Sequence, residues 1–422
     1  MGSNVDRIVE AAWRIESPRI IAVLTRMVRD VGLAEELAQD ALVTALEQWP
    51  VTGVPDNAGA WLMAASKNRA LDWLRRMRLL ERKHAELGGE LEVAQELALA
   101  HADEARDAAL DDDVGDDLLR LVFIACHPVL SREARVALTL RLLGGLATDE
   151  IARAFLVPAA TIAQRIVRAK RTLKEARVPF EVPGRDELQY RLSSVLEVIY
   201  LVFNEGYAAT AGDDWMRPAL CEEALRLGRI LAGLVPGQAE VHGLVALMEI
   251  QSSRAAARIG PGGAPVLLLE QNRSRWDRLL IHRGLAALAR AESLGVALGP
   301  YALQAAIAAC HARAATAEQT DWQRIAALYD ALAQLAPSPV VELNRAVAVA
   351  FAFGAEAALE IVDRLQADGA LATYHLLPAV RGDLLERLGR RREAKAEFTR
   401  AAGMTRNRRE RDLLLARARV GD

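Results

Sequence analysis

At 422 residues the chain has room for two to four domains, each with its own core. It is 52% hydrophobic but only 5% aromatic, and rich in Ala, Leu and Arg, a composition that points to an all-helical protein. The formal charge is −3, from 53 Lys and Arg against 56 Asp and Glu, which excludes a globally basic nucleic-acid coat and leaves room only for local patches. Cys126, Cys221 and Cys310 are far apart with no CxxC pair, so neither a zinc site nor a disulfide framework is indicated, and no metal or cofactor is expected. Charges run through the first twenty residues, and no apolar run approaches the ~20 residues of a membrane span. A cytoplasmic protein without a membrane partner is therefore expected.

In chain order, residues 6–27 read as an amphipathic helix with a break at Pro18, and 34–49 as a second, with an acidic outer face. The stretch 50–59, PVTGVPDNAG, is loop chemistry. A long helix follows from about Ala60, with Trp61, Leu62, Ala65, Leu71 and Leu74 turned inward. Its second half carries Lys67, Arg69, Arg75, Arg76, Arg78, Arg82 and Lys83, more cations than helix capping requires, which points to phosphate contact. Between Glu86 and Asp117 the sign inverts: twelve carboxylates face the single Arg106, as in an acidic linker. Two helices, broken around His127 and Pro128, fill 118–143.

Residues 146–174, LATDEIARAFLVPAATIAQRIVRAKRTLK, read as two short helices joined by a tight turn. Thr148 is placed to N-cap the first, and Pro158 sits just inside the second. Ile162, Ile166, Ala169 and Leu173 recur at 4, 3 and 4 spacing as a buried stripe, with Thr161, Gln164, Arg165, Arg168, Lys170 and Arg171 away from it. An apolar seam backed by Thr, Gln and Arg is the layout of a helix-turn-helix recognition helix in the major groove. An ordinary helical hairpin with a solvated charged face has the same pattern.

Taken together and in this order, the motifs resemble bacterial sigma-70 factors of the extracytoplasmic-function (ECF) type. AEELAQDALVTALEQW (34–49) resembles region 2.2, AWLMAASKNRALDWLRRMR (60–78) regions 2.3 and 2.4, and DEIARAFLVPAATIAQRIVRAKRTL (149–173) region 4.2. The resemblance covers roughly the first 180 residues. It implies a sigma region 2 domain over 1–83, an acidic linker over 84–117 and a region 4 helix-turn-helix domain over 118–180. It further implies that Leu37, Gln39 and Asp40 contact the clamp of the β′ subunit of core RNA polymerase, and that loop 49–60 receives a flipped base of the −10 element. Asn68 would read the −10 strand, Arg75, Arg76 and Arg78 would hold phosphates, and Thr161, Gln164, Arg165 and Arg168 would engage the −35 element of promoter DNA. Leu156 stands where the family's turn usually carries Gly, and Ala163 where a longer polar residue is common.

Residues 181–422 read as helix after helix, punctuated by Pro218, Pro236, Pro261, Pro265, Pro300, Pro337 and Pro339. FGAEAALEIVDRL (353–365) and LGRRREAKAEFTRA (388–401) form a weak repeat at roughly 35 residues, close to the tetratricopeptide (TPR) period. Gly389, Ala394 and Phe398 occupy TPR-like second-helix positions. The whole resembles the ECF subgroup with a long TPR-like C-terminal extension, which implies tuning of activity or docking of a partner such as an anti-sigma protein. No nucleophile elbow, P-loop, Rossmann fingerprint or HExxH is present, so an enzyme is not expected. Glu205, His242, Glu249, Glu270, Asn272, Arg275, Asp277 and His282 fit buried pairs between stacked helices, or a ligand groove near Asn204, Glu205, Tyr207 and Trp276. His127, His311 and His375 fit packing or capping roles. The competing reading of the whole chain is a stand-alone helix-turn-helix regulator with a sensory helical domain.

Overall fold

The computed structural model describes residues 4–88, 114–155, 157–209, 211–212 and 214–420. Most of the acidic linker and Leu156 in the turn lie outside the described residues. Among the described residues the architecture is all-α apart from one two-residue parallel strand pair, β1 (Ala211–Gly212) with β2 (Arg406–Asn407). The chain divides into two compact units, Met1–Val198 and Ile199–Asp422. Among the described residues no helix is long and apolar enough to cross a membrane.

The first unit holds α1 (Asn4–Val28), α2 (Val31–Thr52), α3 (Ala58–Gly88), α4 (Val114–Ala125), α5 (Arg132–Leu142), α6 (Thr148–Phe155), α7 (Ala159–Glu175) and the first half of α8 (Arg185–Tyr207). α1 runs unbroken through Pro18, against expectation. Proline removes one backbone bond there, but Val9 on one side and Ile20, Ile21 and Leu24 on the other are fully buried, and this burial outweighs the ~3 kcal/mol penalty. α2 likewise continues through Pro50 to Thr52, where the expected loop would begin. Asp30 starts α2 by accepting from the N–H groups of Gly32 (2.8 Å) and Leu33 (3.1 Å). Trp49 closes the core below it, edge-on to Trp61 with ring centroids 5.4 Å apart. The break at 126–131 falls where His127 and Pro128 predict it, and His127 caps the turn by accepting the Val129 N–H at Nδ1 (3.1 Å). The first half of α8 packs back on α4 and α5: Arg191 donates to the Phe123 carbonyl (3.0 Å) and Ser194 to that of Cys126 (2.7 Å).

The second unit continues from the second half of α8 through α9 (Pro218–Leu234), α10 (Ala239–Ser252), α11 (Arg278–Ser293), α12 (Pro300–Arg313), α13 (Trp322–Leu335), α14 (Pro339–Phe353), α15 (Ala355–Asp368), α16 (Leu376–Arg387), α17 (Arg391–Met404) and α18 (Arg408–Val420). The expected helices over 238–258 and 270–294 are shorter: 3₁₀ turns and extended backbone fill residues 255–276. Pro261, Gly263 and Pro265 interrupt the helical ladder there, and Asp277 restarts it by capping Leu279 (2.8 Å). α10 meets α12 with no room between them. A Cβ on Gly243 would lie 2.6 Å from the Ala302 backbone nitrogen. In the repeat, Gly354 and Gly389 both have positive φ, and Ala358, Val362, Ala394 and Phe398 are all buried at matching places in α15 and α17. Most polar residues noted in these helices are paired or capping: Glu205 with Arg217, Glu249 with Arg229 (2.7 Å), His242 with the Pro236 carbonyl (2.9 Å), and Asn272 with Ser274 N–H (3.0 Å). His375 bonds Glu410 at 2.9 Å. The three cysteines are free and buried, and burial pushes the thiols of Cys126 to about 11 and Cys221 to about 12.

Candidate nucleic-acid interface

α3 presents the first candidate surface. Its N-terminus is ordered by Asn57, whose side-chain oxygen accepts the Ala60 N–H (2.9 Å). Leu62, Ser66 and Ala70, four residues apart, are fully buried and turn the opposite side of the helix outward. Asn68 lies on that outward side, exposed, and Arg75 follows two turns later on the same stripe. Arg75 pairs with Asp72 at 3.1 Å across exposed surface, a contact too weak to hold it from a phosphate. Arg76 is exposed on one flank and Arg78 half-buried on the other. Arg69 faces α2, where it donates to Thr44 and approaches Asp40 at 3.9 Å.

On α2 the three residues assigned to polymerase contact do not share one environment. Asp40 is exposed. Gln39 is half-buried and donates to Glu35 at 2.6 Å. Leu37 is only 8% exposed and belongs to the helical core, so the outward face of α2 is carried by Glu36, Asp40, Val43 and Glu47 instead. Three- and four-residue spacing from buried Ala34, Ala38, Ala41 and Ala45 explains why Leu37 turns inward. In the 49–60 connection, Val51 and Asn57 are exposed beside the Trp49–Trp61 pair.

α6 and α7 form the helix-turn-helix. The buried stripe of α7 is Ile162, Ile166, Ala169 and Leu173, as the spacing predicts. Thr161, Gln164, Arg165 and Arg168 share the other side within one arc; Gln164 and Arg168 are exposed, Thr161 and Arg165 half-buried. Neither Arg165 nor Arg168 forms an ion pair among the described residues. Ala163 is also exposed. Two end assignments shift by one residue. Pro158 is the N-cap of α7 rather than its first turn, with its carbonyl accepting the Thr161 N–H (2.9 Å). Thr148 is already helical: the Ala147 carbonyl accepts the first bond, from Ile151 (3.1 Å), and Glu150 reaches back to the Ala147 N–H (2.7 Å). Gly145, with φ of +63°, supplies the left-handed turn that aims α6.

The two lysines of α7 do other work, while Arg171 makes an exposed pair with Glu175 at 3.4 Å. Lys170 bonds Glu35 of α2 (2.5 Å), and Lys174 bonds Asp30 (2.7 Å). Glu35 is 3% exposed and also accepts from Arg141 of α5 (2.6 Å). A second buried carboxylate, Asp117, takes Arg26 of α1 (2.8 Å) and Arg120 (2.7 Å). Its burial pushes the carboxyl above the usual range despite both guanidinium groups. For Asp30 burial pushes the carboxyl up in the same way but loses to Lys174 and the α2 N–H donors, and the carboxyl falls below the usual range. Sequence reasoning passed over Glu35, although an acid four residues after Val31 and three before Ala38 on an apolar face is a readable signal.

Residues 13–79 match the sigma-70 region 2 family and residues 120–173 the sigma-70 region 4 family, while residues 191–292 match a family of unknown function, DUF6596. The chain is 43% identical over 395 residues to "Uncharacterized protein R00370" of Rhizobium meliloti (strain 1021), covering 92% of this chain and 90% of that one. It is 29% identical over 177 residues to "Probable ECF RNA polymerase sigma factor SigI" of Mycobacterium tuberculosis, covering 41% of this chain and 57% of the relative. It is also 29% identical over 160 residues to "ECF RNA polymerase sigma factor SigK" of Mycobacterium bovis, covering 37% of this chain and 78% of the relative. No solved structure matches. The exposed α3 and α7 faces fall inside the two matched regions, and the chain belongs to one family with R00370, built on the region 2 and region 4 domains of sigma-70 factors.

Proposed function

We propose that the chain is a sigma factor that directs RNA polymerase to specific promoters, without catalysis of its own. The observation that carries this reading is the pair of exposed polar faces, Asn68–Arg75 on α3 and Gln164–Arg168 on α7, each backed by a buried stripe within a matched sigma region. In this reading Asn68 hydrogen-bonds the −10 strand, its amide supplying both donor and acceptor. Arg75, Arg76 and Arg78 hold phosphates of the opening duplex. Thr161, Gln164, Arg165 and Arg168 take the −35 element, where Gln and Arg side chains pair bidentately with A and G edges. The exposed side of α2 around Asp40 meets the polymerase clamp. Run-off transcription with core polymerase tests it: a promoter-specific start is expected, Asn68→Ala weakening opening and Arg165→Ala weakening −35 use. No specific transcript from core plus this protein would overturn the reading.

Residues 1–83, 84–117, 118–180 and 181–422 are taken as region 2, linker, region 4 and extension, and the extension, TPR-like in its last helix pairs, as the regulatory part. It tunes activity or receives a partner such as an anti-sigma protein. Stopping the chain near residue 180 would remove Arg191 and Ser194, which bond to α4 and its end. Ending it at Val198 keeps those bonds. Higher promoter-specific output from that shortened chain means the extension inhibits; lower output means it is required.

A further inference from the structure

The second unit contains a cavity of about 220 Å³ walled by α8, α10, α12 and α13, with Tyr200, Phe203, Tyr207 and Tyr329 among its lining. Among the described residues no Asp or Glu lines it, and the one cation is Arg254, at the end of α10. The Arg254 guanidinium donates to the Tyr207 hydroxyl and the Gln251 side-chain oxygen, and lies 5.8 Å from the ring centroids of both Tyr207 and Trp276. Two further arginines stand nearby. Arg258 is 7% exposed, stacks 3.6 Å over Tyr207 and donates to the Tyr207 carbonyl. Arg273 is 8% exposed and donates to the carbonyls of His311 (2.5 Å) and Ala314 (2.7 Å) and to Thr320 (3.0 Å).

None of the three forms an ion pair with a carboxylate among the described residues. Buried charges in proteins are ordinarily paired, because desolvation of a lone guanidinium costs several kcal/mol. Carbonyl oxygens and aromatic faces offset part of that cost. They do not offset all of it: the Nε atoms of Arg254 and Arg273 are buried without any acceptor. The positive field reaches His311 on the cavity wall, whose imidazole is held down to about 4 by burial and by Arg254 and Arg273. The Glu318 carboxylate acts on Arg273 from beyond ion-pair distance, and an anion is the group that Arg254 lacks among the described residues. The four aromatic rings favour a flat apolar body, and a single lining cation favours one negative charge over the two of a phosphate monoester.

We propose that the cavity of the second unit is a binding site for a small aromatic carboxylic acid, its carboxylate on Arg254 and its ring among Tyr200, Phe203, Tyr207 and Tyr329. The site goes beyond the promoter reading and stands without it, since its test involves no transcription. The full chain, with imidazoles followed by NMR, is titrated with benzoate and separately with benzamide, its neutral isostere. Benzoate should shift the His311 resonances saturably, raise its pKa by at least about one unit because the anion neutralises Arg254, and bind at least tenfold more tightly than benzamide. Equal affinity for the two, or a His311 resonance unmoved by about 10 mM benzoate, overturns the proposal. Gln251→Glu is the decisive variant, since it is isosteric and places a carboxylate where the amide oxygen already accepts from Arg254. It should raise the melting temperature, raise the His311 pKa without benzoate, and cut benzoate affinity at least tenfold. A lowered melting temperature with benzoate affinity retained overturns the proposal.

Discussion

At the scale of single residues, burial decides which ionisable groups matter. His311 is neutral in the fold because its environment holds it down to about 4, against about 6.5 in an unfolded chain. Between those two values the unfolded state binds a proton that the folded state refuses. Stability from this group is therefore complete above pH 6.5 and is lost as pH falls toward 4, at up to about 1.4 kcal/mol per pH unit. Carboxylates titrate in the lower part of that window, so a difference measurement isolates the histidine. The stability gap between the wild type and His311→Gln, from urea unfolding, should close by about 1–2 kcal/mol between pH 7 and pH 5. A gap independent of pH would mean that the imidazole titrates freely in the fold. The histidine could be found in the sequence as a lone polar residue on an apolar helix. Its field could not, because Arg254 and Arg273 come from segments 57 and 38 positions away along the chain and meet it only through the packing of α10 and α12.

At the scale of elements, periodicity predicted the buried faces well and the ends less well. The α7 stripe appears residue for residue, because 3.6-residue spacing leaves one solution for an amphipathic helix. Pro18 and Pro50 misled, since the break they signal is local and the burial that overrides it is long-range. Leu37 shows a different limit: the resemblance assigns a motif position, while the spacing of its neighbours turns the side chain inward. Two contacts between elements have measurable consequences. Glu35 joins α2 to α5 and α7 from a buried position, so Glu35→Gln strands Arg141 and Lys170 and should destabilise by about 3 kcal/mol. Equilibrium unfolding that changes by less than about 1 kcal/mol would show the site to be solvated like a surface pair. Gly243→Ala should also destabilise, by about 2 kcal/mol, because the atom it meets is the Ala302 backbone and cannot swing away. An unchanged melting temperature in that variant would argue against the close crossing of α10 and α12.

For the molecule as a whole, the charge balance constrains how DNA is reached. A net charge of −3 offers no long-range attraction to a polyanion, so affinity has to come from local cations. On α7 those are few: Lys170 and Lys174 are engaged with Glu35 and Asp30, leaving Arg165 and Arg168 beside Thr161 and Gln164, and Arg171 in an exposed pair with Glu175 at 3.4 Å. Three such cations release about three counterions, a slope of only about −2.7 in log affinity against log salt. That is well short of the 6–10 phosphate contacts of a protein that holds duplex DNA alone. The promoter reading therefore expects the isolated chain to bind a −35 duplex no better than a non-specific one at physiological salt, with specific binding appearing once core polymerase is added. The stand-alone regulator expects the reverse, tight specific binding without polymerase. Fluorescence anisotropy of a labelled promoter duplex across 50–200 mM salt, about the range over which phosphate contacts dominate, separates the two. In the polymerase-bound form Arg168→Ala should relax preference by about 1–3 kcal/mol at one base pair, as the loss of a bidentate pair with a base edge does. Gln164→Ala should relax preference by about 1–3 kcal/mol at one base pair with the slope unchanged, because its amide reads an edge and neutralises no charge.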